Sequence, residues 1–225
     1  MVSALPYQTP SAEFWLGTDA LGSSVAIRLL IATWETLYTV AAAAAIAAVL
    51  GTLVGAALAF SGQSRLRALC ETLLGFAYAA PLLLLVLLLV VVYGDRPWVF
   101  PSVGILAWGG IALSAATSLE RIINSGFVRA SRALGATPLA AYLRHGIPHA
   151  LPTVASATAA LSAQLFQLSV LLAFIGVGRS GLGNLICEGY EVYPTVWWTW
   201  LPATLVAALI LSGSAWLAQR GGRYG

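Results

Sequence analysis

Lysine is absent from these 225 residues, and charge of either sign is scarce. Eleven arginines and eight acids make 8% charged residues, against 60% hydrophobic. Soluble domains run at about 25% charged and about 45–50% apolar. So few charges cannot cover a water-facing surface, which excludes soluble-enzyme, nucleic-acid-binding and disordered classes together. Cysteine is nearly missing too: Cys70 and Cys187 stand far apart, with no C-x-x-C metal spacing. Residues 1–15 lack the basic start and apolar run of a cleavable signal peptide. There is no paired-carboxylate or nucleophile constellation. Gly176-x-Gly178 and Gly181-x-Gly183 follow no strand, so they are not a nucleotide fingerprint. The chain reads as an integral membrane protein that catalyses no bond chemistry and calls for no cofactor and no resident metal.

Long apolar runs are abundant instead. Crossing about 30 Å of hydrocarbon takes about 20 residues, and uncharged stretches at 36–60, 72–94, 97–119, 150–178 and 192–219 qualify. They show no alternation, so they predict helices and exclude a membrane barrel. The expected organisation is one all-α transmembrane domain over 1–225. It comprises an outer segment 1–24, spans near 25–60, 72–94, 97–119, 150–176 and 195–217, and a loop at 120–149. Arg28 and Glu35 then stand near an interface.

The arginines orient the chain. Loops 61–71 and 120–149 and the C-terminal tail hold Arg65, Arg67, Arg121, Arg129, Arg132, Arg144, Arg220 and Arg223. The other side keeps Arg28, Arg96 and Arg179. The first set is expected in the cytoplasm, with the N-terminus outside and the C-terminus inside. Glu13, Asp19, Asp95, Glu188 and Glu191 fall on the outer side. Trp197, Trp198 and Trp200 stand there as expected headgroup anchors. Cys70 and Cys187 fall on opposite sides and are not expected to pair.

The one sizeable cytoplasmic loop divides by local chemistry. A helix over 129–134 stops at Gly135, Thr137 is a natural N-cap, and Pro138 suits a first helical position. A second short helix runs to about Arg144 and breaks at Gly146–Pro148. The product is a compact helix–turn–helix elbow.

These residues resemble a family. Ala130, Ala133, Leu134, Gly135 and Ala136, followed by Arg144-His145-Gly146-Ile147-Pro148 and Leu151-Pro152, are similar to the cytoplasmic motif of permease subunits of binding-protein-dependent ABC importers. Leu16-Gly17-Thr18-Asp19-Ala20-Leu21-Gly22 with Arg28-Leu29-Leu30, and Phe174-Ile175-Gly176-Val177-Gly178, resemble the dipeptide, oligopeptide and nickel permeases. The motif's glutamate and second alanine are Arg129 and Ser131 here, and Ser23-Ser24 replaces an Arg-Asp pair. Five spans are read where relatives show six, the first being absent.

The resemblance implies a subunit of the bacterial cytoplasmic (inner) membrane. Its partners would be ATP-binding subunits, a second permease, an extracytoplasmic solute-binding protein and the lipid bilayer, with no nucleic acid. It implies ATPase coupling through Arg129, Ala130, Ser131, Arg132, Leu134, Gly135, Ala136, Thr137, Tyr142 and Arg144. The implied solutes are peptides, nickel or another chelated metal, or a similar small polar solute. Two further readings compete with it: a non-transporting scaffold or sensor subunit, and a small secondary carrier, the latter disfavoured because no embedded acid pair or inverted repeat is evident.

Other residues carry two readings each. Gln164 and Gln167 either line a route for a polar solute or act as interhelical hydrogen-bond glue. Asp19 reads as a helix N-cap and, through the resembling motif, as an outer partner contact. Glu35 is an acid near the membrane boundary, a functional candidate as intramembrane acids are, and equally suited to pair with Arg28 or to meet headgroups. Gly51-x-x-x-Gly55 permits a close internal helix contact. Pro81 predicts a kink. His145 and His149 are four apart, but Pro148 interrupts their face, and a metal site there is disfavoured.

Overall fold

The computed structural model describes residues 5–60, 82–94, 96–123, 147–177, 181–191 and 195–221, with single positions at 68, 72, 75, 125, 126 and 128. Among the described residues there are helices and no strand beyond one isolated bridge between Thr18 and Ser24.

Helix α1 runs over Val25–Phe60. Its 36 residues span about 54 Å at 1.5 Å each, well beyond the hydrocarbon thickness, which leaves room for Arg28 and Glu35 near one end. Helix α2 is Leu82–Tyr93, an unbroken Leu/Val run; the rest of the second expected span, with Pro81, lies outside the described residues. The third expected span is divided into α3 (Val99–Ser102), α4 (Gly104–Ala107) and α5 (Gly109–Ile123). Pro101 cannot donate to the helical ladder. Val103 and Trp108 nevertheless keep helical dihedrals, so the path continues across both breaks. Helix α6 is Ile147–Phe174, with Pro148 in its first turn, where a missing N–H is harmless. Helix α7 is Leu182–Glu191 and α8 is Trp197–Gly221. Among the described residues, four stretches are long and apolar enough to cross a membrane (α1, α3 to α5 taken together, α6 and α8), and α2 is a shorter apolar helix.

Helix α7 fills the stretch between the fourth and fifth expected spans, for which the sequence reading gave no element. Leu182, Gly183, Leu185 and Gly189 are buried on one face while Glu188 and Tyr190 are exposed. The short length and the glycines hide that periodicity in the sequence.

The helices contribute to two compact units. The first gathers 1–42, 83–101 and 163–213; the second gathers 43–82, 102–162 and 214–225.

Within the second unit, contact is made by small residues. Ala43, Ala44 and Ala47 of α1 and Ala112, Ala115 and Ala116 of α5 are fully or nearly fully buried. A Cβ at Gly55 would lie 2.7 Å from the Ala115 Cβ, one at Gly51 would lie 2.8 Å from the Ile111 Cβ, and one at Gly104 would overlap the Ala43 carbonyl oxygen. The Gly51-x-x-x-Gly55 pair therefore makes an internal contact, as its spacing predicts. Lipid tails are as apolar as leucine, so the driving force is close van der Waals approach rather than exclusion of water.

In the first unit, α6 ends in a Schellman motif. Gly176 (φ +79°) donates its N–H to the Ala173 carbonyl at 3.1 Å, and Val177 donates to Leu172 at 2.8 Å. That turn directs the chain toward α7. Gly183 packs α7 against Val170 and Ala173 of α6, and Gly189 packs it against Trp200 of α8.

Candidate functional site

The ten residues expected to couple to an ATPase, Arg129 to Arg144, lie outside the described residues. The described polar chemistry collects in the first unit, around the start of α1.

Residues 5–24 fold onto that end through a buried hydroxyl. Thr18, 0% exposed, donates its Oγ1–H to the Leu5 carbonyl and accepts the Gln8 N–H, both at 2.8 Å. Trp198 is 7% exposed, packs with Val25, Val196 and Leu16, and donates Nε1–H to the Thr18 carbonyl at 3.4 Å. The expectation of three headgroup anchors is corrected for Trp198: it is a core residue that clamps the N-terminal segment, while Trp197 is exposed.

Asp19 is not the N-cap of α1, which starts six residues later. Its buried carboxylate accepts the N–H groups of Leu21 and Ser23 at 2.8 Å each and the Arg28 guanidinium at 2.6 Å. The other arm of Arg28 reaches Glu188 of α7 at 2.8 Å, and Glu188 also accepts from Asn184 at 2.8 Å. One guanidinium thus joins the N-terminal segment, α1 and α7. Glu35 is not the partner of Arg28, as the sequence had suggested. Glu188 takes that place from 160 positions away, and no local pattern could have named it.

The start of α7 is held by a second long-range contact. Thr36, 5% exposed, donates to the Ala32 carbonyl and accepts the Leu182 N–H at 3.1 Å, satisfying one orphan donor of the helix start. Gly181 (φ +105°) approaches so closely that a Cβ would sit 2.8 Å from the Thr36 hydroxyl. Thr36→Val is therefore expected to leave a buried N–H unpaired and lower stability by about 1–3 kcal/mol. Thr36→Ser keeps the acceptor and should cost less. Reversible unfolding of both variants in mixed micelles checks the order.

Hollows open on α1 here, two of them beside Glu35. One, of about 110 Å³, is lined by Glu35, Thr36, Thr39, Arg96 and Ser169 together with apolar residues. The other, of about 310 Å³, is lined by Arg28, Glu35, Asn184 and apolar neighbours. Glu35 lines both. Arg96 follows the turn at Gly94 that ends α2, where the Gly94 N–H bonds the Val90 carbonyl at 2.8 Å. Gln164 and Gln167 of α6 are both exposed on one stripe with Leu171 and Phe174. Among the described residues, no group of three His, Cys, Asp or Glu side chains is placed to hold a metal ion.

Among the described residues the architecture is all-helical, with four helices long and apolar enough to cross a membrane and a fifth, shorter apolar one. The fold resembles an inward-facing MetNI methionine ABC transporter chain (TM-score 0.66, 22% identity, 89% of this chain and 97% of that one). It also resembles a chain of an amino acid ABC transporter crystallised with histidines (TM-score 0.65, 16% identity, 88% and 94%). Residues 51–219 match the family described as binding-protein-dependent transport system inner membrane component, and the chain belongs to that family. Among curated relatives, the oligopeptide transport system permease protein OppC of Haemophilus influenzae is 29% identical over 194 residues, 84% of this chain and 61% of that protein. The dipeptide transport system permease protein DppC of Bacillus subtilis is 28% identical over 171 residues, 75% and 53%. The chain thus spans roughly half to two thirds of the length of these relatives. The expected recognition, the all-α membrane fold and the inner-membrane location stand.

Proposed function

We propose that this chain is the transmembrane subunit of an ATP-driven importer, forming part of the translocation route for peptides, nickel or another chelated metal, or a similar small polar solute. The observation that carries the reading is the family match over 51–219, which includes the whole elbow. The oligopeptide and dipeptide permeases among its relatives favour peptides. ATP hydrolysis belongs to partner subunits docking on Arg129, Ala130, Ser131, Arg132, Leu134, Gly135, Ala136, Thr137, Tyr142 and Arg144. A second permease pairs with the chain, and a solute-binding protein meets the face that carries residues 5–24, the segment Asp19 holds in shape. The arginine distribution supports an outer position for that face and an inner position for the C-terminus.

Gln164 and Gln167 support a route. Two exposed amides one helical turn apart, in the midst of an apolar helix, are costly against lipid and are satisfied by a polar neighbour or water. The test is purification in mild detergent with identification of the co-purifying proteins, followed by uptake in vesicles. An ATP-binding subunit, a second permease and nucleotide-dependent uptake are expected. Recovery of the chain with unrelated membrane proteins would indicate a scaffold or sensor subunit instead.

The elbow gives a sharper prediction. Gly135→Pro should abolish uptake while leaving membrane insertion intact, because the turn is expected to transmit ATPase motion only if its shape is kept. Uptake at the parental rate with Gly135→Pro would remove the elbow from the mechanism. Arg129→Glu should change ATPase affinity; an unchanged affinity would make Arg129 a solvated bystander.

A further inference from the structure

We infer that the hollow beside Glu35 is a binding site for a small zwitterion, holding a primary ammonium at Glu35 and a carboxylate at Arg96. The groups that line it are already sorted by chemistry. Glu35 is half-buried and Arg96 is exposed; among the described residues neither the Glu35 carboxylate nor the Arg96 guanidinium has a hydrogen bond or an ion pair. The two oppositely charged groups line one cavity of about 110 Å³ without pairing across it. A carboxylate and a guanidinium on residues that line a shared hollow offer complementary ends to a molecule carrying both opposite charges.

The hydroxyls add directionality. Thr39 donates its proton to the Glu35 carbonyl at 2.8 Å, and Ser169 donates to the Phe166 carbonyl at 2.8 Å. Each hydroxyl has one proton and two lone pairs, so both oxygens retain acceptor capacity, and both residues line the cavity. Glu35, Thr39 and Ser169 provide three acceptors, matching the three N–H donors of a primary ammonium. Thr36 differs, because its hydroxyl already serves the α7 start. The larger hollow of about 310 Å³, which also opens on Glu35, leaves space for the rest of the molecule.

The ammonium-plus-carboxylate chemistry is shared by a free amino acid and a short peptide. The physiological meaning of the site rests on the transport reading, while its chemistry can be tested apart from it. The full complex, or the chain with whatever co-purifies, is placed in lipid nanodiscs and binding of radiolabelled L-alanine is measured by equilibrium dialysis. L-Alanyl-L-alanine, ethylamine and acetate serve as competitors. Saturable binding is expected, with ethylamine and acetate each weaker than alanine by about tenfold. The stronger competitor of alanine and the dipeptide identifies the source. Glu35→Gln and Arg96→Gln should each weaken binding by about tenfold, and Glu35→Asp should recover most of it.

Thr39→Val removes one acceptor and gives a second, smaller loss if Glu35→Gln fails to fold. Absence of saturable binding by either probe, or alanine binding that both Glu35→Gln and Thr39→Val leave unchanged, overturns the site. If ATP-binding subunits co-purify and uptake is nucleotide-dependent while binding fails, the zwitterion site alone falls. If binding holds but no ATP-binding subunit associates, the transport reading falls and the site stands.

Discussion

Gly104→Leu is expected to destabilise the helix packing by about 3 kcal/mol or more, the upper end of what overpacking costs. The obstacle is backbone rather than a yielding side chain: a Cβ at Gly104 overlaps the carbonyl oxygen of Ala43 and lies 2.9 Å from the Ile46 Cβ. Ala43 is itself 0% exposed, so α1 would have to move away along its contact with α4. Gly55→Leu meets a similar wall at Ala112 and Ala115 and should behave alike. Gly213→Leu is the matched control, because nothing lies within 4 Å of its Cβ position; it should fall within about 0.5 kcal/mol of the parent. Unfolding by SDS in mixed micelles, followed by circular dichroism, measures all three. If Gly104→Leu proved as stable as Gly213→Leu, close approach would not be what joins α1 to α4.

The fold class was legible because membrane insertion depends on composition over about 20 residues, a quantity that survives ignorance of every contact. Helices α1, α6 and α8 follow from it directly. The breaks at Val103 and Trp108 do not, since a run of apolar residues looks the same whether or not the ladder is interrupted. Helix α7 was missed because ten residues with two glycines fall below the length at which periodicity speaks. Its glycines serve close packing against α6 and α8, and a single sequence reads them only as loop. Trp198 illustrates a different limit. Position near a span end suggests an anchor, yet whether an indole faces headgroups or core depends on a segment 180 residues away.

The candidate site was legible in its parts and not in its assembly. Asp19, Arg28, Glu35 and the two glutamines each stood out as polar residues in an apolar chain. Arg28 pairs with Asp19 of the N-terminal segment and with Glu188 of α7, the second on an element the sequence did not display. Glu35 was left without that cation, and Arg96, read as one of three arginines on the outer side, came to line the same cavity. The partner of a charge is a tertiary fact.

Arg28→Met is expected to cost about 2 kcal/mol, below the about 3–5 kcal/mol of a fully buried pair, and to loosen residues 5–24. The Asp19 side chain is 8% exposed, so removing the guanidinium leaves a buried carboxylate with only its two backbone donors. The discount follows from Arg28 itself, whose side chain is 31% exposed and partly solvated. Glu188→Gln should cost under about 1 kcal/mol, because Glu188 is 47% exposed and its pair is screened as surface pairs are. The two arms of one guanidinium are thus predicted to be unequal, with the shorter and more buried arm dominant. Hydrogen exchange separates this from a general loss of stability. In Arg28→Met the amides of Leu21 and Ser23, which Asp19 holds, should exchange faster, while those of Ala112 and Ala116 in α5 stay protected. An Asp19→Asn/Arg28→Met double variant should lose less than the sum of its single changes, since no buried charge is then stranded. Equal losses from Arg28→Met and Glu188→Gln would place the weight of the node on α7 instead of the N-terminal segment.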